Sequence, residues 1–295
     1  MLQSLWMLAA SFFYAVMSSL VKQCSLETGV FEIVFFRALL SLLFIFAIMR
    51  VRHIGLATHY PFKHFLRSIC GAIAFTLWFA ATAHLPLGTA VTLSYAGPIF
   101  IALTTIVLCL MRRQKAPWLL AVAIGIGFAG ICMMMRPTFG QNQAIWALAA
   151  LTTSAFAPII FMTVQKLGQA GEPSTRIVFY FMLVSTIWGA IGVYCVEGGI
   201  HMHSTGLWAM LLGVGLCSTL GQICMTQAYA RGNLLVSACL QFSTIPIAEV
   251  LSVVVFGERL PIDGLIGMGL ILVAGIMATV TEKRKEKRRR EATTP

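Results

Sequence analysis

The sequence is an almost unbroken succession of apolar runs of about 20 residues, separated by short polar or Pro/Gly breaks, and a lipid bilayer is the solvent that suits such a pattern. Crossing a hydrocarbon core of ~30 Å takes ~20 mostly apolar helical residues. Such stretches occupy approximately 4–21, 30–49, 66–85, 90–110 and 118–135, and then 144–165, 177–196, 207–229, 234–256 and 262–280. With 59% hydrophobic and only 11% charged residues among 295, little remains for a separate soluble domain. The expectation is an all-α membrane protein of ten transmembrane helices. The chain begins Met-Leu-Gln, without a basic region or a small-residue cleavage site, so the first run reads as a retained helix.

A net charge of +11 would suit a nucleic-acid partner, but seven of the 21 Lys and Arg crowd between Lys283 and Arg290, directly after the last apolar run. A juxtamembrane basic cluster anchors topology against anionic lipid. The partners expected are therefore the bilayer and a small-molecule substrate, with no nucleic acid, and the chain is expected to be a monomer or a weak homodimer. If the tail is cytoplasmic and there are ten spans, both termini are cytoplasmic. The inward segments then hold 17 basic residues, namely Arg50, Arg52, Lys63, Arg67, Arg112, Arg113, Lys115, Lys166, Arg176, Arg231 and the seven of the tail. The outward segments hold three, Lys22, Arg136 and Arg259, which is the asymmetry that the positive-inside rule requires.

The chain also repeats itself. Trp6-Met-Leu-Ala-Ala near the start is echoed by Trp146-Ala-Leu-Ala-Ala, and Ala129-Gly130-Ile131 by Ala274-Gly275-Ile276. Five helices per half is an odd number, so the second half enters the membrane inverted. Inverted repeats of this kind place substrate at their interface near the midplane. The organisation expected is a first repeat over 1–137, a second over 144–281 and a basic cytoplasmic tail over 282–295.

Three short motifs occur in order within this five-plus-five pattern: Phe31-Glu32-Ile33-Val34-Phe35-Phe36-Arg37 in the second helix, Ala96-Gly97-Pro98 in the fourth, and Phe256-Gly257-Glu258-Arg259-Leu260 closing the ninth. In these the chain resembles the drug/metabolite transporter superfamily, specifically the bacterial ten-helix carriers with two EamA domains, over nearly its whole length. The resemblance implies a multi-pass protein of the bacterial inner membrane. It further implies a secondary transporter that moves a small organic metabolite by alternating access: an amino acid, S-adenosylmethionine, a flavin or a drug-like amphiphile.

Polar residues three, four, seven or eight apart share a helix face. Ser11, Tyr14, Ser18 and Lys22 form one line on helix 1; Ser218, Gln222, Met225 or Thr226, and Tyr229 form another on helix 8; Ser237, Gln241, Thr244, Glu249 and Ser252 form the widest, on helix 9. Singly, such residues bond their own backbone or glue helices together; three stripes together suit an aqueous cavity walled by helices 1, 3, 4, 6, 8 and 9. Tyr14, Trp78, Tyr95 and Tyr229 would add flat walls with polar tips; Tyr229 is the weakest of these, since at a span end it also suits an interfacial anchor. Pro98, Pro158 and Pro246 lie within helices and should kink them. Dense glycines in helices 5 and 10 suit close packing.

Glu249 and Arg37 lie at similar expected depths, each about 10 Å from the outer helix end at ~1.5 Å per residue. They form a candidate charge pair, or else Glu249 meets a cationic substrate group or a coupling proton or cation. The eight cysteines form no CxxC pair, and the six histidines form no HExxH or Cys/His spacing, so neither a metal nor a cofactor is expected. A membrane enzyme would need a nucleophile, an acid/base pair or metal ligands at one depth, and a channel a selectivity filter. No motif of either kind occurs, although both classes stay open on the residues alone.

Overall fold

The computed structural model describes residues 2–25, 27–85, 87–135, 143–201, 204–256 and 262–291; within these, a few side chains, those of Glu249 and Ser252 among them, lie outside the description. Every regular element among the described residues is helical. After a 3-10 turn at Leu2–Leu5 come α1 (Trp6–Cys24), α2 (Val30–Val51) and α3 (Pro61–His84), each continuous. The fourth span is broken into α4 (Leu87–Ser94) and α5 (Gly97–Met111), and α6 (Trp118–Met135) closes the first half. In the second half the sixth span is broken into α7 (Ala144–Ala155) and α8 (Ala157–Gln169), followed by the continuous α9 (Ser174–Val196) and α10 (Thr205–Arg231). The ninth is broken into α11 (Leu234–Gln241) and α12 (Thr244–Phe256), and α13 (Ile262–Glu291) is last. Among the described residues nine helices are long and apolar enough to cross a membrane, with Leu234–Ala248 a shorter apolar stretch. The broken ninth span supplies the tenth crossing.

The three breaks fall at the three prolines. A proline has no N–H and its ring collides with the carbonyl four residues back, so Pro98 leaves the Ser94 carbonyl without its helical donor. Ser154, at the break of the sixth span, takes over: its hydroxyl lies 2.8 Å from the Ser94 carbonyl and 2.6 Å from that of Leu93. The Phe242 carbonyl, four residues before Pro246, accepts from the Ile245 N–H at 3.2 Å instead. In hydrocarbon no water could make these substitutions.

Packing follows the exchange of each helix with the one five spans later. The second span packs on the seventh (α2 on α9), and the fifth on the tenth (α6 on α13). The contact of α1 with α10 is matched by that of α7 and α8 with α3, and the contact of α2 with α10 by that of α9 with α3. Gly130 and Gly267 bring α6 and α13 together: a Cβ on either would lie 2.6 Å from the other's carbonyl oxygen. Gly125 and Gly269 meet nothing and are not part of that contact. Large apolar side chains such as Leu43, Ile187, Ile191, Leu265 and Ile276 are more than half exposed, a surface suited to lipid.

Two boundaries differ from the sequence expectation with consequences. The last helix runs on through Glu291, because the Glu/Lys/Arg tail consists of good helix formers. More important, α3 starts at Pro61, where a ring at the first helical position forfeits no hydrogen bond. That start draws His64 out of the expected loop and carries Arg67 from the expected helix edge into the bundle, where each is 1% exposed.

Replacing Ser154 by Ala leaves the Ser94 carbonyl unanswered at the break, whereas that of Leu93 keeps the Ala96 N–H. We predict a loss of about 1–3 kcal/mol, read as a lower unfolding temperature in detergent. Thr152→Ala, which removes an exposed hydroxyl bonded to its own helix, should change little.

Candidate functional site

Where the broken helices face the continuous ones, the bundle encloses a cavity of about 150 Å³. At ~10–15 Å³ per water that is room for about ten waters or a small organic group. Tyr14 and Ser18 of α1, Trp78 of α3, Tyr95 at the break of the fourth span, Gln222 of α10 and Gln241 at the end of α11 all line it. Thr153, Ser154 and Phe161 add a wall from the sixth span, and Phe181 adds one from α9.

The other expected residues lie elsewhere. Ser11 is buried away from the lining. Thr244 is buried behind the ninth-span break, its hydroxyl donating to the Gln241 carbonyl at 2.8 Å. Glu249 and Ser252 sit on α12, with side chains outside the described residues, and so does the Arg37–Glu249 pair. Arg37 itself is fully buried; its Nη1 donates to the Ser218 hydroxyl at 3.1 Å and its guanidinium lies 4.2 Å over the Phe75 ring. Tyr229 is not an interfacial anchor: it is fully buried, stacked on Phe161 at 4.0 Å, and donates to Gln241 Oε1 at 2.8 Å. The tight turn at Gly232 and Asn233 folds α11 back over it.

Sequence reasoning expected helix 3 as a wall through Trp78 but missed the rest of its face. Arg67, Gly71, Ala74, Phe75 and Trp78 all line the cavity, and their spacing of four, three, one and three residues is a helical face. The stripe test finds it once the helix is started at the Tyr60-Pro61 step. Arg67 lies 3.8 Å over the Phe181 ring and its Nη2 donates to Gln222 Oε1 at 3.2 Å.

Residues 1–136 match the family described as EamA-like transporter family. The pseudopaline exporter of Pseudomonas aeruginosa is 29% identical over 235 residues, covering 79% of this chain and 80% of the exporter. A riboflavin transporter of Rhizobium johnstonii is 26% identical over 252 residues, covering 83% of this chain and 80% of that protein, and one of Vibrio cholerae is 23% identical over 295 residues, covering 98% and 95%. Residues 1–136 thus carry an EamA domain, and the relatives are EamA-family transporters, consistent with the drug/metabolite transporter superfamily. A crystal structure at 16% identity shares its fold, with a TM-score of 0.82 over 95% of this chain and 98% of the other. The family and these relatives make the protein a multi-pass membrane transporter of small metabolites and not an enzyme.

In this transporter carboxylates tie the two ends of the α2–α9 pair. Glu197, just after α9, accepts the Phe31 and Glu32 N–H groups at 2.9 and 3.0 Å; the free amides and positive dipole end of α2 favour an anion there. At the other end Glu172, just before α9, accepts from the Thr58 hydroxyl at 2.6 Å and from Arg176 at 2.9 Å. Arg176 also donates to the Gly55 carbonyl at 2.8 Å. Burial alone would raise the Glu172 pKa, but the Thr58 hydroxyl and Arg176 outweigh it and hold the carboxyl below its ordinary 4.5.

A folded pKa below the unfolded one means that this tie stabilises fully above pH 4.5 and is lost as pH falls through the lower folded value. We predict that Glu172→Gln lowers the unfolding temperature at neutral pH, and that the difference from wild type narrows below about pH 4.5. Unfolding temperatures of both proteins across that range check it.

Proposed function

We propose that the protein carries a small organic metabolite across a bacterial inner membrane by alternating access, with the cavity as its substrate site and the halves 1–137 and 144–281 as the moving bodies. The observation that supports this best is that the cavity is walled by both halves at the breaks of three helices. Breaks of this kind expose backbone polar groups only where they line a cavity, and inverted repeats meet around their substrate. The relatives export pseudopaline or transport riboflavin, which favours a metabolite over an inorganic ion. A channel would need a path lined by a repeated filter, whereas here aromatic rings line a pocket.

We further propose that both termini are cytoplasmic, since moving Arg67 into the bundle still leaves a strong inward excess of basic residues. The Glu172 tie then lies at the cytoplasmic end and the Glu197 tie at the outer end. The ten helices suffice for a monomer or weak homodimer, and a proton or cation on Glu249 is the coupling candidate.

Proteoliposomes preloaded with an unlabelled amino acid, S-adenosylmethionine or riboflavin should show saturable counterflow of at least one of these in labelled form. Linear, non-saturable flux would mean a channel. Trp78→Ala, which removes a cavity wall, should raise the half-saturation concentration at least about tenfold, by the loss of ring contact worth ~1–2 kcal/mol. For topology, a membrane-impermeant thiol reagent on whole cells should spare Lys115→Cys and label Ile200→Cys in a background without native cysteines. The reverse labelling would invert the assignment.

A further inference from the structure

Arg67 and Gln222 present unanswered donors at the cavity. Arg67 is 1% exposed and donates only through Nη2, to Gln222; its Nε and Nη1 have no partner. A guanidinium only donates, so Gln222 must turn its oxygen to Arg67, and that leaves the Gln222 amide nitrogen as a further buried donor, also without a partner. Both residues line the cavity. Among the described residues no carboxylate pairs with Arg67, and none lines the cavity. Arg37 adds a second guanidinium of the same kind nearby: its Nε and Nη2 lack partners, and the rings that the two cations cover, Phe75 and Phe181, stand 6.0 Å apart.

A cation within a membrane costs about 2.5–3.5 kcal/mol on insertion scales, and is retained where it pairs or marks a pathway. Ring faces and a neutral amide offset only part of that, and unpaired donors in a low-dielectric site attract an anion strongly. Gly71, one turn after Arg67, keeps the site open: a Cβ there would lie 2.7 Å from the Phe181 ring and 3.5 Å from Nη1. The planar donor fork of arginine matches a carboxylate, and the remaining walls, Phe75, Trp78 and Phe161, suit an apolar or aromatic body.

We propose that the ligand of this cavity is an organic anion, whose carboxylate is held by Arg67 and Gln222 and whose body packs between the aromatic walls. This rests on the reading of the cavity as the substrate site. A cationic or neutral metabolite would leave the donors unanswered.

The test uses three near-isosteric indoles on the full-length protein in nanodiscs: indole-3-acetate, the neutral indole-3-acetamide and the cationic tryptamine, with inorganic phosphate and phosphatidylglycerol as further arms. Unfolding temperature and direct binding are read for each. The acid should stabilise the protein and bind at least about tenfold more tightly than the amide, in keeping with a charge-assisted hydrogen bond. Arg67→Gln should remove that preference, and Arg67→Lys should keep part of it. No response to any indole, equal binding of acid and amide, preference for tryptamine, a response to phosphate or phosphatidylglycerol alone, or full discrimination by Arg67→Gln would overturn the proposal. The acid-to-amide comparison is made on the wild-type protein, so it decides even where the variant does not fold. Counterflow of labelled indole-3-acetate separates the two readings. Binding without counterflow upholds the anion site and removes it as a transport site; saturable counterflow of neutral metabolites, with no preference for the acid, upholds the carrier and removes the anion site.

Discussion

Inside a bilayer a helix can break only where some other group takes up the hydrogen bonds that the break sets free, and that constraint governs the centre of this molecule. Pro98 breaks the fourth span; the Ser154 hydroxyl, from the break of the sixth, answers the freed carbonyl of Ser94 and lies as close to that of Leu93. One break thus satisfies another, across the two halves. The cavity follows from this: Ser94, Tyr95, Gly97, Ser154 and Ala157 all line it because the helices that carry them stop and restart there. A continuous fourth or sixth helix would bring only side chains to that depth.

Charge is sorted by depth as strictly as the backbone is. Glu172 and Glu197 sit at opposite ends of α9, each answered by hydroxyls, amides or a guanidinium. The two buried guanidiniums lie deeper, covered by rings and holding single neutral acceptors. Arginine suits that position better than lysine, because a delocalised and weakly hydrated cation stacks on an aromatic face without surrendering its edge donors.

The breaks were legible because proline acts locally: the missing N–H and the ring clash need no knowledge of the neighbours, and all three prolines mark them. Helix number and the exchange symmetry follow from hydropathy and an odd number of spans per half. Tyr14, Ser18, Gln222 and Gln241 were legible from helical spacing. Arg67 was not, since a basic residue close to the edge of an apolar run reads as an interfacial anchor, and only the helix start at Pro61 carries it inward. Tyr229 failed for a related reason. Position in the chain places it at a span end, but its burial comes from α11 folding back and from Phe161 on a distant helix, neither of which its own neighbourhood encodes.

The bonds that join the halves at the cavity differ in kind from the closest contact between them. Arg67 of α3 holds Gln222 of α10, and Arg37 of α2 holds Ser218 of α10, so both cations of the first half reach for one helix of the second. Each link is a single hydrogen bond to a neutral acceptor, and such links are individually worth ~1.5–3 kcal/mol even with a charged donor. The contact of α6 with α13, also between the halves, is different: the two helices meet backbone to backbone at Gly130 and Gly267. A ligand that offers a better acceptor than an amide or a hydroxyl competes with the first kind of link and leaves the second untouched. Differential interaction of that sort is what shifting a two-state equilibrium requires, since a ligand can bias it only by the difference in its affinity for the two states.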